Sequence, residues 1–204
     1  PLVLCLVVGL LLENSDRQNF LHEQQLAEEA RRIEHMHAET EQALAIQQRH
    51  AAFLTLIAGN LDVETLFSRV LGYIVEHTGA QVAVAHLVEP GALLRRVASW
   101  GAERADGETV DAQQSLMGEA LRLGRMLQLE QVPEGYLQIR SAALVCRPAA
   151  VLILPVGQAE QQVAAIELGR TGVFDPQEQS FLESLCAPLA FAASAAMARR
   201  QQTV

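Results

Sequence analysis

The sequence predicts an α+β domain, an antiparallel sheet with its helices gathered on one face, preceded by one long helix. Three observations carry this. Apolar or small residues recur every seven positions from Arg17 to Leu61, with no Pro or Gly between Asp16 and Ala58. Short apolar runs are joined by turn residues at Glu89-Pro90-Gly91 and around Gly157-Gln158, the pattern of β-hairpins. Helical periodicity opens and closes the remaining stretch, at Val63 to Thr78 and from Pro176 onward.

Residues 1–12 hold the run LVLCLVVGLLL, apolar or glycine from Leu2 to Leu12. The run is shorter than the ~20 residues that cross a hydrocarbon core, and the basic start and cleavage site of a signal peptide are missing. It is expected to be the cytoplasmic end of a truncated transmembrane helix. The other reading is a strand or helix buried on an upstream soluble domain.

Residues 13–61 form a rod. A helix of about 40 residues would be ~60 Å long and needs a surface to rest on. Leu26, Ile33, Thr40, Gln47 and Leu54 form one heptad series; Ala30, His37, Leu44, Ala51 and Ala58 form the other. The alternating spacing predicts a parallel homodimeric coiled coil with Leu26, Ala30, Ile33, His37, Leu44, Ala51 and Leu54 in its seam. The alternative is a single helix lying on its own domain. The seam is weak, which suits a rod with two nearly equal packings. His37 reads as a tolerated register-setting residue more than as a protonation-sensitive one.

Gly59-Asn60 stops the rod, and Asp62 caps the next helix with Glu64 and Thr65 in its first turn. Gln81 to Val88 and Leu93 to Trp100 read as strands, with Arg95 and Arg96 breaking alternation at a bulge. Glu103 to Asp111 is expected as a surface loop, Leu116 to Leu123 as a short helix, and Met126 to Leu129 as a strand. Residues 131–147 are irregular. Val151 to Val156 and Val163 to Leu168 are the last strands. Pro176 takes the first position of the final helix, whose buried stripe is Leu182, Leu185, Leu189, Ala192 and Ala196; Pro188 predicts a kink. The domain covers 62–198, and 199–204 reads as a tail or the start of a linker to an output domain.

Bulk composition excludes several functions. The net charge is -9, of which the rod carries -4 from 8 acids and 4 arginines, so no basic stripe exists for a nucleic-acid backbone. All 15 basic residues are arginine, which removes a Schiff-base or Walker-type lysine. Cys5, Cys146 and Cys186 form no short-spaced pair, so neither a zinc knuckle nor a disulfide framework is expected. The histidines do not converge, and no metal or cofactor is expected.

Gly118, Ala120 and Gly124 are followed by Pro133, Tyr136, Ile139, Arg140 and Ser141 of VPEGYLQIRS. Next come LILPV at Leu152 to Val156, AAIELG at Ala164 to Gly169, and Phe174, Phe181 and Leu182. In this order the residues resemble a GAF domain, particularly that of bacterial membrane-anchored sensor histidine kinases, over about Asp62 to Ala196. The resemblance implies a five- or six-stranded antiparallel sheet, a pocket on one face roofed by short helices and loops, and dimerisation through terminal helices. It implies a place between a membrane segment and an output module. Relatives bind cyclic nucleotides, tetrapyrroles, haem, small metabolites or nothing known. Arg170-Thr171-Gly172-Val173-Phe174-Asp175 stands where cyclic-nucleotide binders carry asparagine-lysine-x-phenylalanine-aspartate, and the chromophore-attaching cysteine context is absent.

A pocket would draw on His86, Trp100, Tyr136, Arg140, Ser141, Cys146 and Glu167. Arg140 could clamp a carboxylate or phosphate with its fork, or pair with Glu130 or Glu134 as a loop staple. Arg147 beside Cys146 could lower a thiol pKa, yet an ordinary half-buried thiol is the expectation. The composite reading is a non-catalytic sensory and dimerising module of a bacterial signalling protein, the cytoplasmic domain of an inner-membrane protein, which couples binding of an unidentified small ligand or an upstream signal to coiled-coil rearrangement. Its alternatives are a dimerising spacer without ligand and, further off, a small redox enzyme.

Overall fold

In the computed structural model the chain is described at residues 28–29, 31–37, 40–41, 43–102, 108–134, 136–140, 145–158 and 161–202, with Arg140 described by its backbone alone. It divides into two compact units, Pro1–Arg49 and His50–Val204. Every described residue of the first unit is helical. Thr40 Oγ1 donates back to the Met36 carbonyl at 2.8 Å, a bond that keeps a β-branched polar residue satisfied inside a helix. Ile33 and Leu44 are half-exposed and His37 is exposed, but Met36 and Ile46, outside both heptad series, are equally uncovered. Leu26 and Ala30 of the expected seam, and the apolar run 2–12, lie outside the described residues.

The second unit begins with a helix at 50–57, here α1, that buries Phe53 and Ile57 and leaves Ala51 and Leu54 exposed. Gly59, at φ +103°, turns the chain where few other residues could. Asp62 then caps α2 (Val63–Thr78) by accepting from the Thr65 amide at 2.8 Å. Val63, Leu66, Phe67, Val70, Leu71 and Ile74 are buried along one side of α2, the stripe expected from their spacing. Gly79, at φ +63°, ends the helix by donating to the Val75 carbonyl.

The strands follow as β1 (Val82–Glu89), β2 (Leu93–Trp100), β3 (Thr109–Asp111), β4 (Leu127–Leu129), β5 (Ile139–Arg140), β6 (Val145–Cys146), β7 (Ala150–Gln158) and β8 (Gln161–Arg170). Between β3 and β4 lie a single 3-10 turn (Ala112–Gln114) and α3 (Leu116–Leu123); α4 (Pro176–Gln202) closes the domain. Six strands form one antiparallel sheet in the order β3-β2-β1-β8-β7-β4, and β5 and β6 form a separate two-stranded ribbon. Three of these strands depart from the sequence reading. Thr109–Asp111 pairs with Leu93–Arg95 as an edge strand instead of staying in the surface loop, and the irregular 131–147 region contains the β5/β6 ribbon. Each involves only two or three residues per strand, too few to show a period.

Alternation along the strands separates two cores. Ala83, Ala85 and Leu87 of β1, Leu152, Leu154 and Val156 of β7, and Ala164, Ile166 and Leu168 of β8 meet α1, α2 and α4. Val82, Val84, Leu94, Val151, Ile153 and Ala165 turn the other way, under Met117 and Ala120 of α3 and Val132 and Leu137 of the following segment. The bulge sits one residue beyond the arginines: Ala85 pairs with Ala98 and His86 with Arg96, so Val97 is the extra residue. The shift puts Arg95 on the helix face, where it pairs with Glu64 of α2, and Arg96 on the roofed face.

Two of the closely packed glycines shape the roofed face. A Cβ at Gly118 would stand 1.8 Å from the Ala112 carbonyl, because α3 starts pressed against the 3-10 turn. At Gly169 it would stand 2.8 Å from Val82 Cγ1 and 3.0 Å from Leu137 Cδ2, where the roof meets the sheet. The helix α4 runs on through Pro188, and its buried residues are Leu182, Leu185, Leu189, Ala190, Ala193 and Ala196, so Ala190 and Ala193 rather than Ala192 extend the stripe. Among the described residues α4 is also the one helix long and apolar enough to cross a membrane by length and composition.

Arg170, at the end of β8, ties three elements together. Its guanidinium donates to both carboxylate oxygens of Glu178 in α4 at 2.7 Å, to the Thr78 carbonyl ending α2 at 2.6 Å, and to the Val173 carbonyl. It also lies over the Phe174 ring, 4.4 Å from the centroid. Glu178 in turn accepts from the Asp175 amide while Asp175 accepts from the Glu178 amide, each at 2.8 Å, a reciprocal cap on α4. Arg170→Met leaves these acceptors with no cation in a mostly covered site, so a loss of ~2–3 kcal/mol is expected. That corresponds to a melting temperature lower by ~5–10 °C. A variant that melts with the wild type would show that the α2–β8–α4 junction is held by packing alone.

Candidate functional site

The roofed face of the sheet carries three of the residues that the sequence singles out, His86, Tyr136 and Glu167. His86 belongs to β1, the third strand in the sheet order, and is 5% exposed; Glu167 of the adjoining strand β8 is 6% exposed. Glu167 lies opposite Val84, and Ala165 opposite His86, so the acid and the imidazole are diagonal neighbours on adjacent strands. Arg96 of β2 stands directly across from His86. Tyr136 comes down from the roof, and its hydroxyl donates to Glu167 Oε1 at 2.5 Å.

Charge and burial set the protonation of this cluster. Burial pushes the Glu167 carboxyl up, against the Tyr136 hydrogen bond and the Arg96 charge, which favour its ionised form. Burial also raises Tyr136, and the Glu167 charge adds to the effect, so the phenol stays a donor. His86 is held down at about 4, first by burial and then by the Arg96 guanidinium, and is a neutral imidazole near neutral pH. Arg96 itself donates from Nη1 to the half-exposed Glu108 at 3.2 Å.

The other expected pocket residues divide. Trp100 is half-exposed on the opposite face: it pairs with Ala83 of the helix-side core, and its ring lies beside Gly72 of α2. It does not join His86, because the bulge at Val97 changes which residues of β2 face the roof. Cys146 is half-buried in β6, paired with Ile139 at the margin of the roofed core. Cys186 packs on the helix side with its thiol pushed up to about 12, mainly by burial. Arg140 is placed in β5 opposite Val145; its side chain, and all of Ser141, lie outside the described residues. The sequence marks Arg96 only as a break in strand alternation. The His86–Arg96 pairing needs the hairpin register, and a one-residue bulge fixes that register.

A GAF-domain family profile matches residues 60–193. The chain belongs to the GAF-domain family. Comparison with curated proteins gives no match. Among solved structures, the fold is similar to the GAF domain of a phosphoenolpyruvate-protein phosphotransferase from Coxiella burnetii, at a TM-score of 0.64 and 14% identity over 79% of this chain and 99% of that one. It is similar to a free methionine-R-sulfoxide reductase from Neisseria meningitidis, at 0.61 and 14% over 80% and 94%. The GAF domain of a two-component sensor histidine kinase from Bacillus halodurans aligns at 0.52 and 16% over 64% and 95%. At these identities the likeness shows the GAF fold alone.

The GAF domain's cluster has a pH dependence whose sign follows from the two shifts. Glu167 is raised above the ordinary 4.5, so stability is lost as pH climbs through its folded value. His86 is lowered from the ordinary 6.5 to about 4, so stability is lost as pH falls across that window. Glu167→Gln keeps an acceptor for Tyr136 and removes only the alkaline loss. Its melting temperature should exceed that of the wild type by ~2–8 °C on the alkaline side and match it in acid. Parallel melting curves across pH would show that Glu167 is not a buried titrating acid.

Proposed function

We propose that this chain is a non-catalytic sensory and dimerising module of a bacterial signalling protein, of the kind found in sensor histidine kinases. The observation that carries the reading is the division of one sheet into two faces. The roofed face holds buried polar groups, the other face is the bed of α2 and α4, and the same strands build both. A ligand that shifts β1, β2 or β8 therefore acts on helices that could transmit the shift. The Bacillus halodurans sensor-kinase GAF domain supports this assignment through its shared fold.

Dimerisation in this reading uses the heptad face of the N-terminal helix, where Ile33, Leu44 and Leu54 are half-exposed. Near Leu54 and Ile57, a groove of about 440 Å³ also leaves Pro188 and Phe191 of α4 accessible, and Phe191 is 80% exposed. The apolar run 2–12 would be the membrane end of the rod, and α4 would lead toward an output module, a histidine kinase first among the candidates. The redox alternative suggested by the methionine-R-sulfoxide reductase likeness needs cooperating thiols. Here Cys146 sits in the β5/β6 ribbon opposite Ile139, whereas Cys186 packs against the helix-side core.

Sedimentation of the segment from Asp16 to Val204 tests the dimerising part. The wild type should be a dimer at ~100 µM, well above the dissociation constant of a micromolar coiled coil. Replacing Leu26, Ile33 and Leu44 together by Asp should yield folded monomers, because like charges would meet across the seam. A monomeric wild type, or a triple variant that remains dimeric with unchanged helix content, would contradict the seam.

A further inference from the structure

Two buried polar atoms on the roofed face have no hydrogen-bond partner among the described residues: His86 Nδ1 and Arg96 Nε. They belong to residues that pair directly across β1 and β2, so the two side chains leave the sheet as nearest neighbours, ~5 Å apart at Cβ. A buried donor left unmade costs more than an ordinary hydrogen bond returns, so adjacent orphans point to one group that serves both.

We propose that His86 and Arg96 form the polar floor of a site for a small monocarboxylate, bounded by Ala165 on β8 and by the Tyr136–Glu167 pair. The proposal rests on reading this face as the sensing face. Arg96 Nε–H can only donate, so the facing ligand atom must accept, and a permanent cation binds an anionic acceptor best. Nη1 of the same guanidinium is engaged by Glu108 at the solvent edge, which leaves the Nε edge for the interior. The neutral His86 ring, in its Nδ1–H form, donates to the second carboxylate oxygen. A cation would meet Arg96. A dianion would bring more charge than one guanidinium offsets, against Glu167 on the neighbouring strand. The ligand is small, since Met117, Val132 and Leu137 cover this face.

The test follows the nitrogen chemical shifts of His86 and Arg96 in the full chain during titration with acetate, propionate and benzoate. Acetamide and inorganic phosphate serve as controls. At least one carboxylate should move both resonances together and saturably by ~10 mM, enough to fill a millimolar site. Acetamide and phosphate should not move them at the same concentration. Arg96→Gln should weaken the response of His86 about ten-fold or more. Should that variant fail to fold, the wild-type titration alone decides. Still resonances with all three carboxylates would overturn the site, as would an equal response to acetamide or phosphate, or a folded Arg96→Gln chain that binds as well as the wild type. A dimer dissolved by the seam substitutions, together with still resonances, would remove the carboxylate site and leave the signalling reading standing. Saturable binding in a chain that sediments as a monomer would do the reverse.

Discussion

The hydrogen bond from Tyr136 to Glu167 is the constraint on which the roofed face depends. A carboxyl group in a covered central strand needs a partner, because an unpaired acid there would cost several kcal/mol. Tyr136 supplies it from a segment otherwise short of regular structure, with its own amide donating to the Pro133 carbonyl at 3.3 Å. One polar contact thus fastens 130–140 onto the sheet, where Val132, Leu137 and Ile139 add apolar cover. The fit is close: a Cβ at Gly169, two residues along the same strand as Glu167, would stand 3.0 Å from Leu137 Cδ2.

The second face is held differently. There, aliphatic packing does most of the work, and Arg170 closes the corner where β8, the end of α2 and the start of α4 meet. The sheet between the faces is one sheet, and the same strands supply side chains to both cores. The bulge at Val97 makes the sharing explicit. It sends Arg95 to Glu64 on the helix side and Arg96 to His86 on the roofed side, from adjacent positions in the chain.

Much of this was legible in the sequence. The period of α2, the Asp62 cap, the two long hairpins and the proline start of α4 are strong local signals, and each appears within a residue or two of its expected place. His86 and Glu167 stand out as titratable residues inside apolar strands. Tyr136 is among the expected pocket residues, but its bond to Glu167 spans 31 residues of sequence and has no local signature. Trp100 was placed on the wrong side of the sheet and Arg96 was passed over for the same reason. A bulge inverts facing along one strand, and neither composition nor period reveals where the extra residue falls. The short pairs β3, β5 and β6 depend on tertiary neighbours rather than on their own propensity.

The central claim, that the Tyr136–Glu167 bond holds the roof onto the sheet whose other face packs α2 and α4, is tested most directly by amide hydrogen exchange in wild type and Tyr136→Phe. The account predicts exchange about ten-fold faster or more at Val132, Tyr136 and Leu137, with β7 and β8 protected as before. Unchanged exchange in the roof would contradict it, and so would a uniform acceleration through the whole domain.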